Sequence, residues 1–556
     1  MLSRQTRQTY TTLLDAACLQ SGDAPVVTFV ATDAEPIQWT RRDFAGRVRH
    51  AAGQLAQFGI QPRDLVIIAH TQHLESMVLF WAALYLGAIP SMFPTLTEKL
   101  DPDIYARNLS ELVRLSEVKA VFAASEYADF LRGMLACSVY SDSDLLAAPS
   151  VDVQPYQAQP EDVAFLQHSS GTTGLQKGVA LSHGAVLNQL ASYSDAIQLN
   201  DRDVIVSWLP LYHDMGLIAG FLLPLVQGVP LVLMSPFDWV RHPALLLKAF
   251  AEHRGTLCWL PNFAYNHLAN RVRERDSLGL DLSNIRAIIN CSEPVRDDSH
   301  QRLVERFADN SLRPDMLAVS YAMAENTFAV TQTVPGHQPT IDRVDLAALQ
   351  QQKRAIPVEA GVPQVSCGRV IAGSQVRVVD DDMQPLSERH VGHIQVRSDC
   401  MLTAYYKRPD LQPFSVDGWY QTGDRGYLAE GELYVIGRTK DLIINAGKNV
   451  YPQDVEAVIN EIEGVHAGRA VAFGVPDERE GTELIAVVAE VDSDDAAEHK
   501  RIKREVRSQV GRATDVTISY VTLVERGWLI KTSSGKIARA ANRDKWLSQQ
   551  TVRSEG

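Results

Sequence analysis

Short apolar runs recur along the chain, with helix-length stretches between them. Leu65–Ala69, Ala120–Ala123, Val163–Gln167, Val204–Trp208, Leu231–Met234, Leu257–Leu260 and Ala287–Asn290 are continuous hydrophobic runs of strand length. Unbroken runs of this kind mark strands buried on both faces. Arg42–Phe58 and Pro243–His253 supply helices among them. The alternation predicts an α/β fold, a parallel sheet covered by helices. Beyond Cys367 the texture changes. Gln375–Asp380 and His393–Arg397, set off by Gly and Asp turns, predict a smaller antiparallel unit. After Gly437–Lys440 another compact α+β pattern runs to about residue 545. Val334–Pro363 is rich in Gln and Pro, holds a short helix-like stretch at Val344–Gln352, and reads as a surface insertion.

Composition narrows this picture. The 556 residues carry a net charge of −14, which excludes a general nucleic-acid binder but not a local nucleotide site. The longest apolar run, Met77–Phe93, is short for a membrane span and contains Gly87 and Pro90, so it predicts a buried helix leading into a strand. Met1–Tyr10 is polar, without the apolar centre of a signal peptide, and a soluble cytoplasmic protein is expected. The cysteines Cys18, Cys137, Cys258, Cys291, Cys367 and Cys400 show no CxxC spacing, so a zinc module or disulfide framework is not expected.

The most informative segment is Ser169–Gly178, SSGTTGLQKG, directly after the strand-like Val163–Gln167. Small hydroxyl residues and glycines let backbone N–H groups approach anionic oxygens, and Lys177 adds fixed positive charge. The spacing does not fit a Walker A loop. The alternative is a flexible surface loop. Lys177 and the following His183 weigh against it.

This loop resembles the signature of the adenylate-forming enzymes. Seven further motifs follow in that family's order: Trp208–Gly216, Asn290–Pro294, Tyr321–Glu325, Tyr420–Asp424, Gly437–Asp441, Gly447–Pro452 and Ser534–Lys536. Their spelling, with Pro261–Tyr265, is most similar to the fatty acyl-AMP ligase branch. The resemblance implies a large N-terminal lobe over residues 1–437, built of stacked α/β subdomains plus a small β subdomain. A hinge at 438–440 and a small mobile α+β domain at 441–556 follow. It also implies a reaction in two halves, in which a carboxylate attacks the α-phosphate of ATP and a thiol then displaces AMP. Such chemistry depends on positioning and charge neutralisation rather than on a side-chain nucleophile.

The family's roles map onto this chain residue by residue. Ser169, Ser170, Gly171, Thr172, Thr173, Gly174 and Lys177 would cradle the phosphates. Ser292, Glu293, Pro294, Tyr321 and Ala322 would bind the nucleotide, with Tyr321 stacking on the adenine. Asp424 would accept the ribose hydroxyls and Arg438 would reach the ribose or α-phosphate. Glu325 would hold Mg²⁺. Lys536 would swing in on the carboxylate and α-phosphate, and Lys440 would be the hinge. His213 would stand at the mouth of the acyl pocket, packing being its alternative. Asp214, Trp259, Asn262 and Cys291 complete the expected pocket, and the spelling Tyr212-His213 disfavours an α-amino acid substrate.

Three positions depart from the fatty acyl-AMP ligase pattern. Trp259 and Cys291 stand where glycine is usual, and Ala322 replaces a third glycine. Either the acid is short, branched or otherwise specialised, or neighbouring residues shrink in compensation. The long stretch between Glu325 and Cys367 resembles the insertion that goes with refusal of free CoA and delivery to an acyl carrier protein; an acyl-CoA synthetase with a variable loop is the alternative. Lys500, Lys503, Arg504 and Arg507 fall on one helical face, either a solvated face or a dock for that carrier.

Overall fold

A computed structural model describes residues 1–7, 10–17, 22–70, 74–96, 102–169, 177–445, 448–477, 482–532 and 535–554. The largest sheet among them has a parallel centre. Its strands are Pro25–Val30, Leu231–Met234, Ile205–Ser207, Leu257–Leu260, Ala287–Asn290 and Leu317–Ala322, in that spatial order. All seven apolar runs read from the sequence are strands, within two residues at their ends. The helix Arg41–Gln57 begins one residue earlier than its pattern suggests. Thr40 and Asp43 close a capping box there, each backbone N–H bonded to the other's side chain at 3.0 and 3.1 Å.

A second sheet runs in the order Ala404–Tyr405, Lys177–Ser182, Val163–Ser169, Ile89–Met92, Leu65–Ala69, Ala120–Ala123, Ser138–Ser141. The helix Leu74–Tyr85 lies between the two sheets. It is apolar on every side because both of its faces are covered. Its Phe80 ring is 5.5 Å from Phe165 on the second sheet and 5.8 Å from Phe221 beside the first. Met77–Phe93 is thus a buried helix and strand, as expected. Among the described residues no helix is long and apolar enough to cross a membrane.

The antiparallel strands after Cys367 form the order Ser374–Val379, Gly392–Ser398, Tyr420–Ala429, Glu432–Arg438. They are not a detached unit. Arg369–Val370 pairs with both Glu432–Arg438 and Ala329–Gln332, so the ladder runs on into the parallel sheet. Hydropathy spacing shows that a strand exists but not which edge it joins.

In the Gln- and Pro-rich stretch, Ile341–Val344 and Val362–Val365 pair as an antiparallel ladder, with the helix Leu346–Gln351 between them. Val344, Leu349 and Ala355 are buried against Tyr427, Tyr434 and Tyr451. It is an exposed insertion, as expected, but one anchored as a wedge by its few buried residues. A few apolar residues carry its packing while its many Gln and Pro residues dominate the composition. Its tip bonds to the C-terminal part: Gln350 Nε2 donates to the Thr514 carbonyl at 3.3 Å, and Asn449 Nδ2 donates to the Gln350 carbonyl at 2.9 Å.

Residues after Leu442 build a third sheet, Val465–Asp477, Thr482–Val491 and Ile518–Val524, with its own core. The helices Pro452–Asn460 and Ala496–Thr514 cover one face. The helix Arg539–Ser554 covers the other, with Trp546 edge-on to Phe473 at 5.7 Å.

Candidate active site

Parallel strands all finish on the same side of a sheet, so the residues that follow them gather in one crevice. Trp208, Pro261, Cys291 and Tyr321 stand at or just past the ends of four neighbouring parallel strands. Chain order separates these motifs by up to 113 residues; topology brings them together.

Asp424 and Arg438 form the facing wall, opposite each other in one ladder. The Tyr321 hydroxyl donates to Asp424 Oδ2 at 2.6 Å, and Arg438 Nε lies 3.3 Å from Oδ1. Burial pushes the Asp424 carboxyl up, and Arg438, the Tyr321 bond, Lys440 and Lys536 pull it back. A register shift between Tyr321 and Ala322 re-aims the strand end at this point. Two side chains thus fix one carboxylate at both oxygens, an arrangement suited to accepting hydrogen bonds from a diol.

Glu325 follows on the short turn Ala324–Asn326. The Tyr405 hydroxyl donates to its Oε1 at 3.2 Å and stands 3.1 Å from the Tyr420 hydroxyl. Burial pushes this carboxyl up, and no protein cation pairs with it among the described residues. A buried carboxylate anchored by neutral hydroxyls fits a divalent cation that completes its shell with phosphate oxygens and water. Among the described residues no group of three or more His, Cys, Asp or Glu side chains forms a protein-only cage.

Tyr405 also lies under Lys177, whose Nζ is 5.0 Å from the ring centroid. Motif reading missed Tyr405, since nothing in its local spelling marks it. It reaches the site because Ala404–Tyr405 pairs with the strand that begins at Lys177. That strand and Val163–Ser169 are antiparallel, with Ser169 opposite Lys177. The intervening Ser170, Gly171, Thr172, Thr173 and Gly174 lie outside the described residues, as do Gly447 and Ser534.

Lys536 sits on a tight turn. Thr532 N–H donates to the Lys536 carbonyl at 2.7 Å, and Gly535 N–H donates to the Thr532 carbonyl at 2.8 Å. Gly535 has φ +82°, a conformation that a side chain disfavours. The Lys536 charge lowers the carboxyls of Asp214 and Asp424 and the thiol of Cys291, each by a minor amount beside burial. Burial tends to raise Asp214. The neighbouring His213, Lys536 and the Met215 N–H at 2.8 Å outweigh that and hold it below the usual range. His213 Nδ1 is 3.7 Å from Asp214 Oδ1. The π-helical segment Met215–Leu222 starts here, and only glycine fits at 216, because a Cβ would stand 2.1 Å from the Pro210 carbonyl.

Two expected site residues serve the scaffold instead. Asn262 donates to Ser299 Oγ at 3.0 Å and accepts from Asn290 Nδ2 at 3.0 Å and Arg296 N–H at 3.2 Å, so its amide is consumed inside a buried network. The Glu293 carboxylate accepts from Phe263 N–H at 2.9 Å and caps the helix Asn262–Arg271. In the same segment Ser292 holds a left-handed φ of 71°, and its hydroxyl donates to Cys291 Sγ at 3.7 Å. Trp259 and Cys291 are fully buried, and the indole N–H donates to the Tyr193 hydroxyl at 2.6 Å. Lys440 lies in the single turn Thr439–Asp441.

The crevice at the ends of the parallel strands, with these motifs around it, marks the chain as an acyl-adenylate-forming ligase. The chain belongs to the AMP-binding enzyme family, whose pattern it matches over residues 14–406. It is 33% identical to the long-chain-fatty-acid–AMP ligase FadD26 of Mycobacterium marinum over 554 residues, covering 93% of this chain and 92% of that one. It is 31% identical to the 4-hydroxyphenylalkanoate adenylyltransferase of Mycobacterium tuberculosis over 575 residues, covering 97% and 92%. A solved fatty acyl-adenylate ligase, from work on the E. coli and L. pneumophila enzymes, superposes with a TM-score of 0.89 at 27% identity, covering 98% of each chain.

Proposed function

We propose that this chain uses ATP and Mg²⁺ to convert a compact carboxylic acid to its acyl-adenylate, and then passes the acyl group to the phosphopantetheine thiol of a carrier protein. The observation that carries this reading is the Asp424 carboxylate held between the Tyr321 hydroxyl and Arg438 at the end of the parallel sheet, with the buried Glu325 four residues past Tyr321. A carboxylate oxygen attacks the α-phosphorus and pyrophosphate leaves. Lys536 and Arg438 lower the repulsion between the two anions as charge builds between them. Asp424 holds the ribose, and Tyr321 orients Asp424. Glu325 would hold Mg²⁺, which offsets phosphate charge when bound. In the second half the thiol sulfur attacks the acyl carbonyl and AMP leaves with the electron pair. Residues 438–440 would supply the hinge between the halves, separating a lobe of residues 1–437 from a mobile domain of residues 441–556.

The relatives are named for long-chain fatty acids and 4-hydroxyphenylalkanoates, yet Trp259, one residue before its strand's end at the crevice, is a fully buried indole bonded to Tyr193. That side chain favours a short or compact acid tail. The wedge at 341–365, bonded to the C-terminal part through Gln350, favours a carrier over free CoA, because it restricts how far that part can turn to admit a bulky free cofactor. ATP–pyrophosphate exchange across a panel of acids tests the first half. Exchange with no acid in the panel, by folded protein, would overturn it. Comparing CoA with a phosphopantetheinylated carrier as acceptor tests the second.

A further inference from the structure

The helix Ala496–Thr514 sorts its charges into stripes. Ile502, Val506 and Val510 are buried in the core of the C-terminal sheet. Along one flank Arg501 is paired with Glu498 at 2.5 Å and Glu505 at 2.8 Å, so that flank is neutralised. Along the other, Lys500, Lys503, Arg504 and Arg507 recur at three- and four-residue spacing, and among the described residues none of the four has an ionic partner. Together with Ala496 and His499 they line a shallow, open groove along the face of that one helix. The chain as a whole carries −14, so four adjacent unpaired cations are a local reversal of its field. The C-terminal end of the same helix is tied to the wedge through Thr514. Seven residues separate Arg507 from Thr514, about 10 Å along a helix axis. The near end of the basic groove therefore lies about 10 Å along the helix from that contact, and Lys500 about 21 Å.

We infer that this groove is the docking surface for the carrier protein, recognised through a row of carboxylates on the carrier's surface. The inference rests on the acceptor proposed above and adds where that acceptor sits. Four unpaired cations at the rim of a contact act on encounter rate and orientation, and their effect is screened by salt. A carrier held there keeps its thiol arm free for the crevice, and the helix itself takes no part in the chemistry.

The test uses the full chain, a phosphopantetheinylated carrier protein of net negative charge, and free pantetheine as a thiol with no docking surface. In the double variant Arg504→Glu and Arg507→Glu, KM for the carrier should rise at least tenfold. Hydroxylamine-trapped adenylate and transfer to pantetheine should stay unchanged, which also shows the variant is folded. Wild-type carrier transfer should slow as salt rises, and the variant should lose that dependence. A KM within twofold of wild type overturns the inference and leaves the acceptor standing. If wild-type enzyme makes adenylate but acylates pantetheine and not the carrier, the acceptor itself falls. Binding to anionic lipid vesicles that the variant loses, with carrier KM unmoved, would assign the groove to a membrane surface and overturn the docking.

Discussion

Arg539 Nη1 lies 2.8 Å from Asp441 Oδ2, and its Nη2 lies 2.8 Å from Glu456 Oε1. Asp441 follows Lys440 directly, and Arg539 comes three residues after Lys536. One largely buried guanidinium therefore fixes the turn that carries Lys536 to the segment beside the proposed hinge, so the two move together. Arg539→Gln should lower kcat for adenylation about tenfold or more with KM for ATP nearly unchanged. It should also cost stability, about 3–5 kcal/mol, because two acids lose their partner. Arg539→Lys should restore only part of the rate, since an ammonium cannot reproduce the forked geometry. A variant that melts lower but turns over at full rate would leave Arg539 a purely structural residue.

Lys536→Ala removes the charge that Asp214 and Asp424 both feel. Adenylation should fall by more than a hundredfold, about 3 kcal/mol of transition-state stabilisation, while nucleotide binding by calorimetry changes little. A comparable loss of binding would place Lys536 in ground-state recognition instead.

Tyr321→Phe deletes the hydrogen bond to Asp424 and leaves the ring. About 1–2 kcal/mol should appear mainly as a higher KM for ATP, roughly five- to thirtyfold. Asp424→Asn, which removes the charge and one acceptor, should cost more than Tyr321→Phe in the same assay. The reverse order would separate Asp424 from nucleotide binding.

Trp259→Gly should open space beside the crevice and shift the acid preference toward longer chains in pyrophosphate exchange. The cavity costs about 3–5 kcal/mol, and Tyr193 loses a partner, so the melting temperature must drop as well. Unaltered chain-length preference in folded protein would mean that the acid does not approach this position.

Burial holds the imidazoles of His168, His183 and His300 down at about 4. His183 Nδ1 accepts from Leu13 N–H at 3.2 Å, a bond only the unprotonated nitrogen can make. Between about 4 and 6.5 these three imidazoles bind more protons in the unfolded chain. They outnumber Asp454, whose carboxyl burial raises to about 6 and which acts in the opposite sense, so stability rises with pH across that window. The thermal midpoint should fall steadily as pH drops below about 6.5. A midpoint flat down to pH 4.5 would contradict it.

The sequence alone determined the strands, because an unbroken apolar run such as Leu257–Leu260 has no alternative to burial. Its motifs also named Tyr321, Glu325, Asp424, Arg438 and Lys536, each carried by local spelling. Tertiary structure decided what spelling cannot hold. It recruited Tyr405 to Glu325 through a two-residue strand joined to the far sheet. It spent Asn262 and Glu293 on the scaffold, since a side chain's partners are set by what folds against it. It also anchored a polar, exposed insertion as a wedge, through three buried apolar residues. Local pattern reflects what a residue can do; packing selects which of those capacities is used.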